Sequence, residues 1–89
     1  MNFTPIDNNG TVDGFCLIKS LDKKTSSKGD TYLDMTLSDA GGEINAKLWR
    51  YNPAVHGEYE INELVKIRGV ISQYNGNDQL KIDRIRKIT

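Results

Sequence analysis

The stretch "TYLDMTLSDAGGEINAKLW", residues 31–49, decides the fold class of this chain. Both of its halves alternate apolar and polar residues, which is the pattern of strands with one buried face. Two glycines in "DAGG" (39–42) mark a tight turn between the halves. The stretch therefore predicts an antiparallel hairpin whose inward side chains are Leu33, Met35, Leu37, Ile44, Ala46 and Leu48.

The residues before this hairpin predict an irregular arm, a strand and a loop. Pro5 and "DNNG" indicate an arm over residues 1–10. "TVDGFCLIKS" (11–20) is rich in β-branched and aromatic residues and predicts the first strand. Gly14 within that strand predicts a bulge or a sharp bend. "LDKKTSSKGD" (21–30) is polar and predicts a loop.

The residues after the hairpin predict a second pair of strands. "LVKIRGVISQY" (64–74) alternates again, and Gly69 is a second candidate bend. "NGND" (75–78) is a strong hairpin turn. "QLKIDRIRKI" (79–88) supplies the fifth strand, and its alternation slips a step before Ile85. That slip predicts a bulge near Asp83 and Arg84.

A single connection, residues 51–63, has neither strand pattern nor the length of a tight turn. Pro53 is suited to begin a short helical turn there and Gly57 to end it. Five strands with a short helical turn or loop between strands three and four are typical of the all-β OB-fold, a five-stranded Greek-key barrel. An SH3-like barrel or an open sheet with the same strands is the alternative. We predict one such domain over residues 11–89, behind the arm of residues 1–10.

Composition indicates the cellular compartment of the protein but does not indicate its function. The 89 residues carry twelve basic and twelve acidic side chains, so that only the distribution of charge can indicate a partner. Cys16 is the single cysteine, which excludes an internal disulfide, fits a reducing compartment and indicates a core position. The N-terminus lacks the pattern of a signal peptide, and no apolar run approaches the length of a membrane span. We expect a cytoplasmic protein without membrane contact.

Alternation directs Tyr32, Lys47 and Trp49 to the outer face of the hairpin. In OB-folds, ligands lie across strands two and three between the loops that join strands 1–2 and 4–5. Exposed aromatic rings stack on bases and lysines neutralise phosphates, so single-stranded nucleic acid suits this face. The candidate binding residues from these strands and loops are Lys23, Lys24, Lys28, Tyr32, Lys47, Trp49, Tyr74, Asn77 and Lys81.

Each candidate also has a purely structural interpretation. Trp49 can instead be a half-buried plug packed against the tyrosines of residues 51–63. Tyr32 can be the cross-strand partner of Trp49 or Lys47, and Tyr74 can brace its hairpin. The clustered lysines can be solvated surface. Asp34, on the same face, would repel phosphate unless it pairs with Lys47 across the two strands.

The sequence shows no catalytic constellation. The one histidine, His56, lies in a loop near Glu58, and no Cys-x-x-Cys or Gly-x-Ser-x-Gly motif occurs. We therefore predict that this chain alone is not an enzyme and needs no cofactor or metal.

Five segments together resemble the N-terminal OB domain of the YhaM family, which are bacterial cytoplasmic exoribonucleases that trim RNA and DNA from the 3′ end. They are "FCLIKS", "KTSSKGDTYLDMTLSD", "GGEINAKLW", "VKIRGVI" and "YNGNDQLKIDRIR", and they run from about residue 12 to residue 87. The most specific parts are "S-x-G-x-x-Y/F-L" from Ser27 to Leu33, "A-K-x-W" from Ala46 to Trp49 and "Y-x-G-x-x-Q-L-K" from Tyr74 to Lys81.

The resemblance implies a substrate-gripping module for single-stranded RNA or DNA. In that family a metal-dependent HD nuclease domain follows and performs hydrolysis, so the metal belongs to that domain, and the full-length protein is a possible homo-oligomer. The residues that match the family pattern are Lys47, Trp49, Tyr74 and Lys81, and the loop lysine Lys28 is included with them. "WRYN" departs from it, with Arg50 as an added cation or a change of the rim. The alternative is an interaction or oligomerisation barrel that docks on its own catalytic domain or on another subunit.

Overall fold

The computed structural model describes residues 6–88, without the side chain of Tyr74, and contains five strands and one short helix. Their bounds are β1 (Thr11–Thr25), β2 (Thr31–Asp39), β3 (Gly42–Leu48), α1 (Pro53–His56), β4 (Leu64–Tyr74) and β5 (Asn77–Lys87). The strands close into a barrel in the order β1-β2-β3-β5-β4, with β3 and β5 parallel and the other neighbours antiparallel. This is the predicted five-stranded OB-fold, and closure excludes the open-sheet alternative. The N-terminal five residues of the predicted arm lie outside the described residues.

The hairpin of β2 and β3 supplies much of the barrel core. Its six predicted inward side chains are all buried, with Ile44 the most exposed at 7%. Asp39 pairs with Gly42 at the turn, and its carboxylate accepts a hydrogen bond from the Gly41 N–H at 2.8 Å. Cys16 is also buried in the core, where burial and the charge of Asp39 raise the pKa of its thiol to about 12.

β1 is longer than predicted and serves two neighbours. Residues 11–17 pair with β4 and residues 17–25 pair with β2. The register irregularity lies between Ile18 and Ser20, so the prediction of a bulge at Gly14 was wrong. The loop predicted over residues 21–30 is also wrong over its first half, because Leu21 pairs with Met35 inside a regular ladder. Polar side chains on the solvent side of this strand gave it the composition of a loop.

The β4–β5 pair contains the second bulge, which was predicted correctly. Arg68 pairs with Arg84 and Gly69 pairs with Ile82, so that Asp83 is the extra residue. Gly69 is required there, because a Cβ atom would collide with the backbone carbonyl of Lys81.

The turn between these strands is shorter than predicted. Asn75 and Gly76 both have positive φ, at 53° and 81°. This is the geometry of a two-residue type I′ hairpin. β5 therefore begins at Asn77, which belongs to the strand and not to the turn.

The connection between β3 and β4 contains the predicted helical turn. The Asn52 side chain accepts a hydrogen bond from the Ala54 N–H at 3.0 Å, Pro53 begins the helix, and Gly57 ends it with φ 90°. Asn52 and Pro53 supply the preferred N-cap and first-turn residues. Across the described residues, no helix has the length and apolarity needed to cross a bilayer.

Candidate nucleic-acid interface

Tyr32 and Trp49 form a pair of rings on the outside of the barrel, which we call the aromatic platform. The ring centroids lie 4.5 Å apart with an interplanar angle of 34°. Trp49 follows the last residue of β3, and the Tyr51 N–H donates to the Thr31 carbonyl at 2.8 Å, which holds this segment beside the start of β2. Trp49 remains 41% exposed. Tyr32 is thus its partner from the neighbouring strand, and the platform is accessible to a ligand.

The tyrosines of residues 51–63 have other roles. The Tyr51 hydroxyl donates to the Gly57 carbonyl at 2.7 Å, and its ring stacks on His56. The Tyr59 hydroxyl contacts the carbonyls of His56 and Ile85, the latter at 3.1 Å. Burial raises the pKa of both phenols. These two rings pack against the barrel core, whereas the ring partner of Trp49 is Tyr32.

A carboxylate, Asp34, organises the charges next to the platform. Lys24 Nζ lies 2.9 Å from Asp34 Oδ2, and Lys47 Nζ lies 3.4 Å from Oδ1. Asn45 Nδ2 donates to the same Oδ1 at 2.7 Å. Partial burial raises the pKa of Asp34, but the hydrogen bonds from Asn45 and Lys24 and the charge of Lys47 outweigh it and bring the pKa below its ordinary value. The carboxylate therefore stays charged and is shared by two lysines.

Asn45 extends this cluster toward β5. Its Oδ1 accepts from Lys47 Nζ and from Gln79 Nε2, both at 2.9 Å. Sequence reasoning did not single out Asn45 or Gln79. Two features of the sequence could have indicated them: alternation directs Asn45 outward from β3, and Gln79 lies two residues before Lys81. Lys81 is the register partner of Lys47, is exposed, and has no ion-pair carboxylate among residues 6–88.

Three more candidate cations lie near the same end of the face. Lys23 is on β1 and places its ammonium 5.9 Å from the centre of the Tyr51 ring. Lys28 is exposed in the turn between β1 and β2. Arg50 is exposed next to Trp49, with a φ of 53° that is uncommon outside glycine. The platform is thus bordered at this end by positive side chains from β1, from the β1–β2 turn and from the residue after Trp49.

The remaining candidates lie at the other end of the face. Asn77 pairs with Tyr74 across the β4–β5 hairpin and lines a small cleft of about 330 Å³ with Glu43. The rise of a strand separates Glu43 from Trp49 by roughly 20 Å along β3. The structure therefore spreads the candidates along the whole face instead of gathering them into one compact site.

A group of exposed apolar residues on the other side of β1 was not expected. Phe15 and Leu17 on β1, and Leu64 opposite Leu17 on β4, all face solvent. The unbroken apolar run from Phe15 to Ile18 was the signal, because only every second residue of it can point into the barrel. Residues 6–88 contain no group of three or more His, Cys, Asp or Glu side chains placed to hold a metal ion.

The family model of the OB-fold nucleic acid binding domain matches residues 17–88. The chain belongs to this family. It is also similar to the 3′-5′ exoribonuclease YhaM of Listeria monocytogenes, with 43% identity over 79 residues, which confirms the family resemblance found in the sequence. That match covers 89% of this chain but only 25% of the relative, so the chain spans about a quarter of its length.

Solved structures share the fold at low sequence identity. A replication protein A heterotrimer bound to single-stranded DNA superposes with a TM-score of 0.72 and 14% identity, covering 90% of this chain and 58% of that one. The mitochondrial single-stranded DNA binding protein Rim1 of S. cerevisiae gives 0.69 and 16%, covering 92% of this chain and 98% of the other. These similarities establish the OB architecture.

Proposed function

We propose that this domain binds single-stranded RNA or DNA across β2 and β3, as the substrate-gripping module of a longer YhaM-like exoribonuclease. The observation that carries the proposal is the aromatic platform of Tyr32 and Trp49, of which Trp49 is 41% exposed. Lys24 is the register partner of Tyr32, and Lys47, on β3, precedes Trp49 in the chain. The likeness to a 3′-5′ exoribonuclease supports the proposal. Hydrolysis is assigned to a metal-dependent HD domain of the parent protein, and the module itself uses no cofactor. We place this activity in the bacterial cytoplasm.

The chemistry of binding divides between the rings and the cations. A base stacked on an exposed aromatic side chain contributes about 1–3 kcal/mol with little dependence on sequence. Arg50 follows Trp49 in the chain, Lys28 lies in the turn before β2, and Lys81 is the register partner of Lys47. None of the three has an ion-pair carboxylate in the described part of the chain, so their charges are available to phosphates. With a few such contacts, we expect a dissociation constant in roughly the micromolar range at low salt.

Substitution of the platform tests the proposal. We expect Trp49→Ala to weaken binding of a labelled single-stranded oligonucleotide by about tenfold or more, because a stacking surface is lost. Lys47→Ala should also weaken binding, since it leaves Asp34 with one cation fewer. Fluorescence anisotropy at low salt measures both effects. Phe15→Ala is the matched control, because it removes an aromatic ring that is 53% exposed on the β1–β4 pair.

The same variants distinguish the alternative of an interaction module. If the aromatic platform instead packs against a second copy of the domain, wild type is a dimer in light scattering and Trp49→Ala is a monomer. If Trp49→Ala and Lys47→Ala both bind oligonucleotides with wild-type affinity, the β2–β3 face is not the binding surface.

A further inference from the structure

A second basic surface lies outside the β2–β3 face, in a groove between β4, β5 and α1. The groove has a volume of about 940 Å³. Its charged lining consists of four cations and two carboxylates, in a chain whose total charge is zero. These residues are Lys66, Arg68, Arg84, Arg86, Asp13 and Asp83.

The charges in this groove are unequally neutralised. Asp13 binds Arg68 at 3.0 Å and lies 3.9 Å from Lys66. Arg84 and Arg86 are exposed and have no ion-pair partner among residues 6–88. Two guanidinium groups on one strand therefore face solvent with uncompensated charge.

The bulge at Asp83 brings these arginines into line with the ligand face. Lys81 pairs with Val70 and Arg84 pairs with Arg68. Because Asp83 is an extra residue after the inward-facing Ile82, Arg84 points outward, as Lys81 does. The outer face of β5 thus carries Lys81, Arg84 and Arg86 in sequence, over roughly 15 Å of strand. Lys81 is also the register partner of Lys47 on β3. A row of cations, interrupted by the exposed carboxylate Asp83, runs from the platform face into the groove.

We propose that the groove binds the phosphates of the same single strand after it leaves the aromatic platform. The proposal rests on the proposed function. Guanidinium groups bind phosphate oxygens in a bidentate manner, and the helix that borders the groove follows closely on Arg50. The strand stacks its bases on Tyr32 and Trp49, crosses β5 at Lys81 and continues along Arg84 and Arg86. The β2–β3 face alone holds a short oligonucleotide, and the groove adds affinity for a longer one.

The test compares oligonucleotides of two lengths, about 4 and about 12 nucleotides, within the range of OB-fold site sizes. The variant is Arg84→Gln/Arg86→Gln, which keeps polar side chains but removes two charges. Its control, Lys19→Gln/Lys87→Gln, removes the same formal charge from other exposed positions of β1 and β5. Lys87 lies 3.6 Å from Glu63, so the control also removes one ion pair. Affinity is measured by anisotropy at about 50 mM and about 200 mM salt, for single-stranded RNA and DNA.

For the longer oligonucleotide, the salt slope of the arginine variant should be smaller by about 1.4, since two phosphate contacts of about 0.7 each are lost. The advantage of wild type over the variant then shrinks by about sevenfold between the two salt concentrations. The short oligonucleotide should bind wild type and variant equally. The proposal would be overturned if the arginine variant bound the longer strand with the affinity and salt slope of wild type. It would also be overturned if the lysine control lost as much affinity for that strand as the arginine variant. If Trp49→Ala weakens binding of both oligonucleotides and the arginine variant weakens neither, the groove proposal is wrong and the aromatic platform remains the binding site.

Discussion

At the scale of single residues, the shared carboxylate Asp34 limits how much charge the platform face offers to phosphate. Asp34→Asn should release Lys24 and Lys47 and keep an acceptor oxygen for Asn45. We expect tighter binding of single-stranded oligonucleotides and a salt slope that is steeper by about 0.7 for each lysine that gains a phosphate. Asp22→Asn is the control, because Asp22 pairs with Asp34 across β1 and β2 and carries the same charge. Equal effects of the two substitutions would show only a change of net charge.

The same carboxylate makes a pH-dependent contribution to stability. The pKa of Asp34 is lowered in the folded protein, while an unfolded aspartate titrates near 3.9. Its interactions therefore stabilise the fold above about pH 4, and this contribution is lost as the pH falls through the lower native pKa. In urea unfolding, Asp34→Asn should cost about 1 kcal/mol at pH 7 and nearly nothing once the pH is well below the native pKa of Asp34. A difference that persists undiminished at low pH would contradict this role.

Residue-level prediction from the sequence succeeded where alternation alone decides direction. The outward phase of Tyr32 and Trp49 followed from the apolar positions of the hairpin, as did the pairing of Asp34 with Lys47. The second partner of Asp34, Lys24, could not be foreseen. It lies on a part of β1 whose polar composition is typical of a loop.

At the scale of elements, the two bulges differ in how well the sequence reveals them. Ile82 and Ile85 are both oriented toward the core although they are three residues apart, so an extra residue between them is visible in the pattern. After the irregularity at Lys19, Leu21 is the only apolar residue of β1 whose side chain still faces the core. One apolar residue cannot define a new register, and the pairing with β2 establishes it instead.

The second bulge depends on Gly69, and its replacement tests the element directly. Gly69→Ala should lower the free energy of unfolding by about 3 kcal/mol, because the added methyl group collides with the backbone at Lys81. Gly76→Ala is a matched control, since its methyl group would meet open space and the cost of about 1 kcal/mol is only that of positive φ. Urea denaturation measures both. Equal losses in the two variants would mean that close backbone approach is not what requires Gly69.

At the scale of the whole molecule, barrel closure creates the distribution of charge that the composition conceals. Five predicted strands were enough to recognise the OB architecture. Their spatial order brings Lys81 beside Lys47 through the parallel β3–β5 pair, and this proximity is a property of the closed barrel. The basic groove has the same origin, because it combines side chains of β4 and β5 with the helix that follows β3. Neither contact is local in sequence, so neither could be predicted from alternation.

Trp49 is the only tryptophan, and its emission therefore reports directly on the aromatic platform. In a titration with an unlabelled single-stranded oligonucleotide, base stacking on the indole should quench this emission. The quenching should saturate with the same dissociation constant as anisotropy and weaken as salt is raised. Binding by anisotropy without any change in tryptophan emission, or no binding at low salt, would contradict the central claim.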